Sequence, residues 1–139
     1  MMLSFTSLVA LPFDAAFVEI GPLRWIARDG SKPDRRGLET WVLHASPGWS
    51  EAHIEDDTAR VAQELLHAFR QLGGGEPVAW SAHRWRYADT EAAPGTVFSW
   101  DAGHSLGLCG DWLNGGKVEG AWLSGKALAR RIINSYASS

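Results

Sequence analysis

The stretch LCGDWLNGGKVEGAWLSG, from Leu108 to Gly125, combines five glycines with an aspartate, a glutamate and two tryptophans. It is typical of a strand end, a glycine-rich turn and the start of a helix. A helix start presents unpaired backbone N–H groups and a positive dipole end, which suit an anion or an electron-rich carbonyl. The stretch therefore has two interpretations. It is a ligand site in which Asp111 accepts hydrogen bonds from sugar hydroxyls, or a tight turn whose helix packs closely.

The elements that would position this turn follow from alternating apolar and polar residues. Strands are predicted in MMLSFTSL, FDAAFVEI, LRWIARD, LETWVLHAS, PVAWSAHRWRYA, TVFSWDAG and SLGLCGDWL. In LRWIARD the alternation sets Leu23, Trp25 and Ala27 on one face. In LETWVLHAS it sets Trp41 and Leu43 on one face.

Two helices are predicted where the apolar period changes to that of a helix. Between residues 51 and 72 the apolar stripe is Val61, Leu65, Phe69 and Leu72. Asp56 or Asp57 would cap its start, and Gly73 would end it in a left-handed conformation. The last helix is predicted over residues 118–136, with its stripe at Val118, Trp122, Gly125, Ala129, Ile132 and Tyr136. Its many glycines and alanines would let it approach another backbone closely.

Strands, a helix, further strands and a helix predict an α+β fold with a mostly antiparallel sheet and two main helices. The length of 139 residues predicts a single compact unit, 1–139. Eight tryptophans indicate either an aromatic core or a pocket for a flat ligand.

Composition argues against several function classes. The net charge is −3 and the charges are interspersed, so we expect neither a nucleic-acid nor a membrane partner. A single cysteine gives no intrachain disulfide framework and favours a reducing compartment, from which we expect a cytoplasmic protein. No secretory signal pattern or long apolar run is found in the 139 residues.

Two segments resemble the C-terminal end of renalase-like flavoproteins, which are relatives of the flavin-containing amine oxidases. They are HRWRYA, at 83–88, and LGLCGDWLNGGKVEGAWLSGKALA, at 106–129. ETWVLHASPGWSEAHIE, at 39–55, is similar to the substrate-side segment of the same family, and FVEIGPLRWIARD precedes it. The most specific part is a strand, the pair Gly110-Asp111, a short loop and a helix that opens with Val118-Glu119-Gly120-Ala121.

This resemblance implies a substrate-domain-like segment at 1–100 and, at 101–139, a strand, turn and helix that contact flavin adenine dinucleotide (FAD). The implied cofactor-binding residues are Gly110, Asp111, Gly116, Lys117, Val118, Glu119 and Gly120. Asp111 would meet the ribityl or phosphate portion, and the N–H groups from Lys117 to Gly120 would face the pyrimidine end of the ring. The positive helix end there would stabilise the negative charge of a reduced flavin. A strand would place the substrate-side and flavin-side residues close to the ring: His83, Arg84, Trp85 and Arg86.

The implied function is an FAD-dependent oxidoreductase that oxidises a small C–N or C–H substrate by hydride transfer to flavin. No residue is indicated as a general base. The family's G-x-G-x-x-G turn, which binds the pyrophosphate, is not found in these 139 residues. We therefore expect the dinucleotide-binding half to be absent from this chain. The chain would then be a fragment, a truncated gene product or a subunit whose other half is a separate chain, and the apolar surfaces left by the missing half would favour self-association. The alternative is a non-catalytic α+β domain or oligomeric module that binds no cofactor.

Other chemistries are less well supported by the sequence. The histidines and the cysteine lack the spacing of a metal site, so none is predicted. No G-x-S-x-G motif indicates a hydrolase. His44 is interpreted as a core or pocket-edge residue, His53 as a helix-entry residue bonded to backbone, and Cys109 as a buried strand residue.

Overall fold

The computed structural model of the chain describes residues 1–35, 37–86, 88 and 95–137. The predicted α+β fold with a mostly antiparallel sheet is confirmed. The chain forms two compact units, Met1–Arg84 and Trp85–Ser139, where the sequence predicted one unit with segments divided at 100/101. The division falls earlier because the strand Ser99–Asp101 pairs with the strand Leu106–Leu108, so both belong to the second unit.

The first unit is a five-stranded antiparallel sheet with helices. Its elements are β1 (Met2–Phe5), β2 (Ala15–Phe17), β3 (Leu23–Arg28), β4 (Glu39–Ala45), α1 (Pro47–Ala52), α2 (Thr58–Gln71) and β5 (Ala79–Ser81). The strand order is β2-β3-β4-β1-β5, and every neighbouring pair is antiparallel. The sheet and α2 contribute the largest members of the core, which are Leu3, Phe5, Ile26, Trp41, Leu43, Leu65 and Phe69. Burial of these apolar side chains is the main force that holds the unit together.

The strand β4 follows its predicted alternation. Trp41 and Leu43 are fully buried, whereas His44, which follows Leu43, is exposed. The alternation predicted for β3 is wrong beyond Leu23. Ile26, predicted on the opposite face, is fully buried, because the register between β3 and β4 shifts near Trp25. Because of this bulge, two residues instead of one separate the core positions Leu23 and Ile26.

The helix predicted to be capped by Asp56 or Asp57 and to end at Gly73 is confirmed as α2, Thr58–Gln71. The Asp57 carboxylate caps α2 by accepting from the N–H groups of Ala59 and Arg60, and Gly73 follows the helix with φ of 93°. The short helix α1 was not predicted. Ser46 caps it through the Trp49 N–H, with proline in the first turn.

The strand predicted to run through HRWRYA is wrong over its described part. The strand β5 ends at Ser81, and His83 lies outside it. The reason is the length of its partner: β5 pairs only with β1, and the register sets Ser81 opposite Met2. A strand extends only as far as another strand satisfies its backbone hydrogen bonds.

The second unit contains β6 (Ser99–Asp101), β7 (Leu106–Leu108) and α3 (Val118–Ala137). The last helix is confirmed at its predicted start. It buries Gly120, Ser124 and Leu128, a face different from the predicted stripe. None of the helices formed by the described residues is both long and apolar enough to cross a membrane.

Candidate functional site

The residues from 109 to 117, here called the glycine turn, join β7 to α3. The Asp111 carbonyl closes this turn by accepting from the N–H groups of Asn114 and Gly116, both at 2.8 Å. Gly115 and Gly116 have φ of 85° and 68°. Glycine adopts this left-handed region at no steric cost, so the glycine pair determines the path of the chain into α3.

The first turn of α3 packs directly on the glycine turn. A Cβ atom added to Gly120 would overlap the carbonyl oxygen of Asn114. The Asn114 side-chain amide donates to the Gly120 carbonyl at 3.3 Å. Close packing, one of the two interpretations of this stretch, is therefore present.

A buried hydroxyl fixes the helix to the strand end. The Ser124 side chain is fully buried on α3. Its oxygen accepts from the Gly110 N–H at 3.0 Å and donates to the carbonyl of Val97. This pair of bonds holds the beginning of the glycine turn against the second turn of α3.

The N-terminus of α3 keeps its donors open despite this packing. The first backbone hydrogen bond at the helix start runs from Ala121 N–H to the Lys117 carbonyl at 2.9 Å. Among the described residues, the N–H groups of Val118, Glu119 and Gly120 have no acceptor. The Val118 residue is 91% exposed. Gly120 is buried, whereas Val118 and Glu119 are exposed, so two donors at the positive end of this 20-residue helix are available to an electron-rich group.

Side chains of both charges surround these donors. Asp111 is exposed, and its carboxylate makes no hydrogen bond or ion pair with the described residues. Lys117 and Glu119 are also exposed. The indole of Trp112 lies against Gly110, where a Cβ atom would overlap it, and remains partly exposed. The turn therefore offers an acceptor, an aromatic surface and backbone donors. All seven predicted cofactor-binding residues lie in the glycine turn or the first turn of α3.

The four residues predicted on the substrate side do not share one element. His83 and Arg84 belong to the first unit, whereas Trp85 and Arg86 belong to the second. Arg84 donates from Nη2 to the Asp56 carbonyl at 2.6 Å, which anchors it beside the start of α2. Trp85 is 74% exposed.

Two of the five histidines, His53 and His104, pair with carboxylates. His53 Nδ1 lies 2.8 Å from the Asp56 carboxylate, and its ring stacks on Trp49 with centroids 4.2 Å apart. The prediction that the His53 side chain bonds to the backbone is therefore wrong, because its partner is the Asp56 carboxylate. This hydrogen bond lowers the pKa of Asp56 below its usual value. His104 makes a similar contact with Asp101. Within the described ranges, no three potential metal ligands are grouped.

The exposure of Cys109 differs from the prediction, and the ion pair between Arg28 and Glu39 was not predicted. Cys109, predicted to be a buried strand residue, is exposed and follows the end of β7. Arg28 and Glu39 form an ion pair that is almost fully buried, and sequence reasoning missed it. These two residues lie at the wall of an open cavity of about 460 Å³.

No protein-family model matches the chain.

The close contact at Gly120 gives a prediction for stability. Gly120→Ala should destabilise the second unit by about 1–3 kcal/mol, because the new methyl group forces α3 away from Asn114. Gly125→Ala is the matched control, since nothing lies within 4 Å of its Cβ position. That change should stabilise the helix by about 0.5–1 kcal/mol. Urea unfolding in dilute solution, followed by circular dichroism, measures both. Equal effects of the two substitutions would contradict the packing described.

A second prediction concerns His44 on the outer face of the first sheet. Partial burial, and then the nearby ammonium group of Met1, hold the pKa of His44 below its ordinary value. The folded state therefore favours neutral His44. Its contribution to stability is present above the unfolded-state value of 6.5 and is lost as the pH falls through the lower folded-state pKa. The His44 ring-proton shift in an NMR titration should have its midpoint below 6.5. A midpoint at or above that value would contradict the assigned environment.

Proposed function

We propose that this chain is the C-terminal portion of an FAD-dependent oxidoreductase related to renalase-like flavin-containing amine oxidases. The observation that carries the proposal is the open N-terminus of α3, with two exposed and unpaired N–H groups beside the glycine turn. The resemblance of residues 106–129 to that family gives the same segment a flavin-contacting role. The proposed substrate is a small molecule with an oxidisable C–N or C–H bond.

The residues present fit a flavin in their donor and acceptor chemistry. The exposed N–H groups of Val118 and Glu119 would donate to the electron-rich pyrimidine carbonyls of the ring. The unpaired Asp111 carboxylate would accept from ribityl hydroxyls. Gly116 has no side chain that would obstruct a ring next to the backbone, and Trp112 supplies an exposed aromatic surface. When bound, the flavin supplies the hydride acceptor.

The packing of α3 supports this role because it makes the donors rigid. Ser124 and Asn114 fix the helix start through hydrogen bonds, and Gly120 allows the contact that holds it in place. Donors that are already oriented need little reorganisation when an electron-rich group binds. The close packing of the turn and a ligand site at its mouth are therefore compatible.

On the substrate side the resemblance implies His83, Arg84, Trp85 and Arg86, of which Trp85 and Arg86 belong to the same unit as the glycine turn. Exposed aromatic and cationic side chains of this kind would wall and orient a small polar substrate. The phosphate groups of FAD require a further segment with a glycine-rich turn, supplied by other residues or by a second chain. Binding of flavin by the 139 residues alone is consequently expected to be weaker than in a complete flavoenzyme.

A titration of riboflavin and lumiflavin, followed by quenching of flavin fluorescence, tests the proposal. Asp111→Ala should weaken riboflavin binding about 3- to 10-fold, since one hydrogen bond to a charged acceptor is lost. The same substitution should leave lumiflavin unchanged, because that ligand lacks the ribityl chain. Asp101→Ala, a carboxylate of the same unit paired with His104, is the control and should alter neither ligand. No saturable quenching with riboflavin, or equal losses for both ligands, would overturn the assignment.

A further inference from the structure

The outer face of α3 carries an apolar stripe that is mostly exposed, with its members Gly125 and Ile132 half-buried. We call it the α3 stripe: Val118, Trp122, Gly125, Ala129, Ile132 and Tyr136. Trp122 is 61% exposed and Tyr136 is 70% exposed. At Gly125 no atom lies within 4 Å of the Cβ position, so the centre of the stripe faces open space. The helix buries its other face, around Ser124 and Leu128, within its own unit.

The spacing of the α3 stripe is that of a coiled-coil seam. Successive members are four, three, four, three and four residues apart, which is the a/d pattern of a heptad repeat. The six positions of the stripe are placed symmetrically about Ala127. A twofold axis at that level would set Gly125 opposite Ala129, with Trp122 opposite Ile132 and Val118 opposite Tyr136. Small residues would meet at the centre and large residues at both ends.

The charges of α3 favour the antiparallel arrangement. Glu119 is its single carboxylate and lies in the first turn, whereas Lys126, Arg130 and Arg131 lie in the second half. Two antiparallel copies bring the acidic end of one helix toward the basic half of the other and oppose the two helix dipoles. A parallel pair would set like charges side by side.

The exposed area is sufficient for a stable pair. Trp122, Tyr136 and Val118, with Ile133 at the edge, together expose about 600 Å² if each residue has its usual total area. Two copies would bury about 1,200 Å² through these residues, the lower limit for a specific interface. The same patch on both copies gives the isologous contact that a twofold dimer requires.

We propose that the α3 stripe docks against the α3 stripe of a second copy of this chain, antiparallel, to form a homodimer. The contact goes beyond the proposed flavin site. The two share Val118, which contributes its side chain to the stripe and its backbone N–H group to the flavin site.

Sedimentation velocity of the full chain over a range of concentrations tests the dimer. We expect a reversible species of twice the 15.2 kDa chain mass. Trp122→Arg should raise the dissociation constant about 30-fold or more, as for a central aromatic anchor. Leu123→Arg is the matched control. Leu123 is next to Trp122 in the chain and is also exposed and apolar, but it lies off the stripe, so dimerisation should persist. A chain that is monomeric throughout, or a Trp122→Arg variant that dimerises like the parent, would overturn the proposal.

Cysteine pairing tests the direction of the helices. In a Cys109→Ser background, mixed Gly125→Cys and Ala129→Cys chains should form a disulfide between the two variants under mild oxidation. Gly125→Cys alone should pair with itself much less. Preferential self-pairing of Gly125→Cys would indicate parallel helices, and no pairing in any mixture would show that the stripes do not meet. Either result overturns the antiparallel contact.

Discussion

Replacing Trp41 with alanine is expected to lower the free energy of unfolding of the first unit by about 3–5 kcal/mol. Trp41 is fully buried at the centre of the core, and its ring lies 5.5 Å from that of Phe69, centroid to centroid. Its indole N–H donates to the Glu39 carboxylate at 2.9 Å, and the Arg28 guanidinium lies 4.8 Å from its ring centroid. The substitution therefore leaves a cavity and also removes a donor from a buried carboxylate.

Urea unfolding followed by circular dichroism measures this loss. Trp80→Ala is the control, because Trp80 lies on the edge strand β5 and is substantially exposed. We expect that substitution to cost about half as much or less, in proportion to the smaller area buried. Trp41→Phe should fall between the two, since it retains a ring but loses the N–H. A parent-like stability of Trp41→Ala would mean that the core is not centred on this residue.

The second large effect is expected from Glu39→Gln, which should cost about 3 kcal/mol or more. One Glu39 oxygen accepts from the Arg28 guanidinium, the Trp41 indole and the Val9 N–H. Arg28 in turn donates to the carbonyls of Val9 and Leu11, so the pair fastens the segment between β1 and β2 to the sheet. Removing the charge of Glu39 leaves Arg28 buried with only an exposed carboxylate, that of Asp14, beside it.

The double variant Arg28→Met, Glu39→Gln distinguishes instability caused by losing the ion pair from instability caused by changed side-chain packing. Replacing both charges removes the uncompensated guanidinium, so the double variant should be more stable than Glu39→Gln alone. Chemical unfolding of the parent, both single variants and the double variant gives the coupling energy. Strictly additive losses would contradict a direct interaction between the two side chains.

Local patterns predicted much of the fold. The alternation of Trp41 and Leu43 in β4 and the capped stripe of α2 depend on neighbours along the chain, and both were predicted. Features set by distant partners were not. The bulge beside Trp25 depends on the register with β4, and β5 ends at Ser81 because its partner β1 is short. The helix α1 had a local signal, Ser46 followed by proline, whose significance was not recognised.

The same distinction applies to the candidate site. Glycine spacing alone located the turn and the start of α3, because positions with positive φ angles or close backbone contacts favour glycine, which is visible in the sequence. The role of Ser124 has no such local signal, since it depends on Gly110 and Val97, which only the tertiary fold brings to it. The Arg28–Glu39 pair is equally invisible, as its members lie on neighbouring strands.

The central claim is that the glycine turn and the first turn of α3 contact a flavin. The most direct measurement is a map of backbone amide shifts in NMR spectra of the full chain during titration with FAD up to about 1 mM. The account predicts saturable shifts that are centred on Gly110–Gly120 and largest at Val118 and Glu119. Amide signals in this segment that do not move while FAD is added would contradict it.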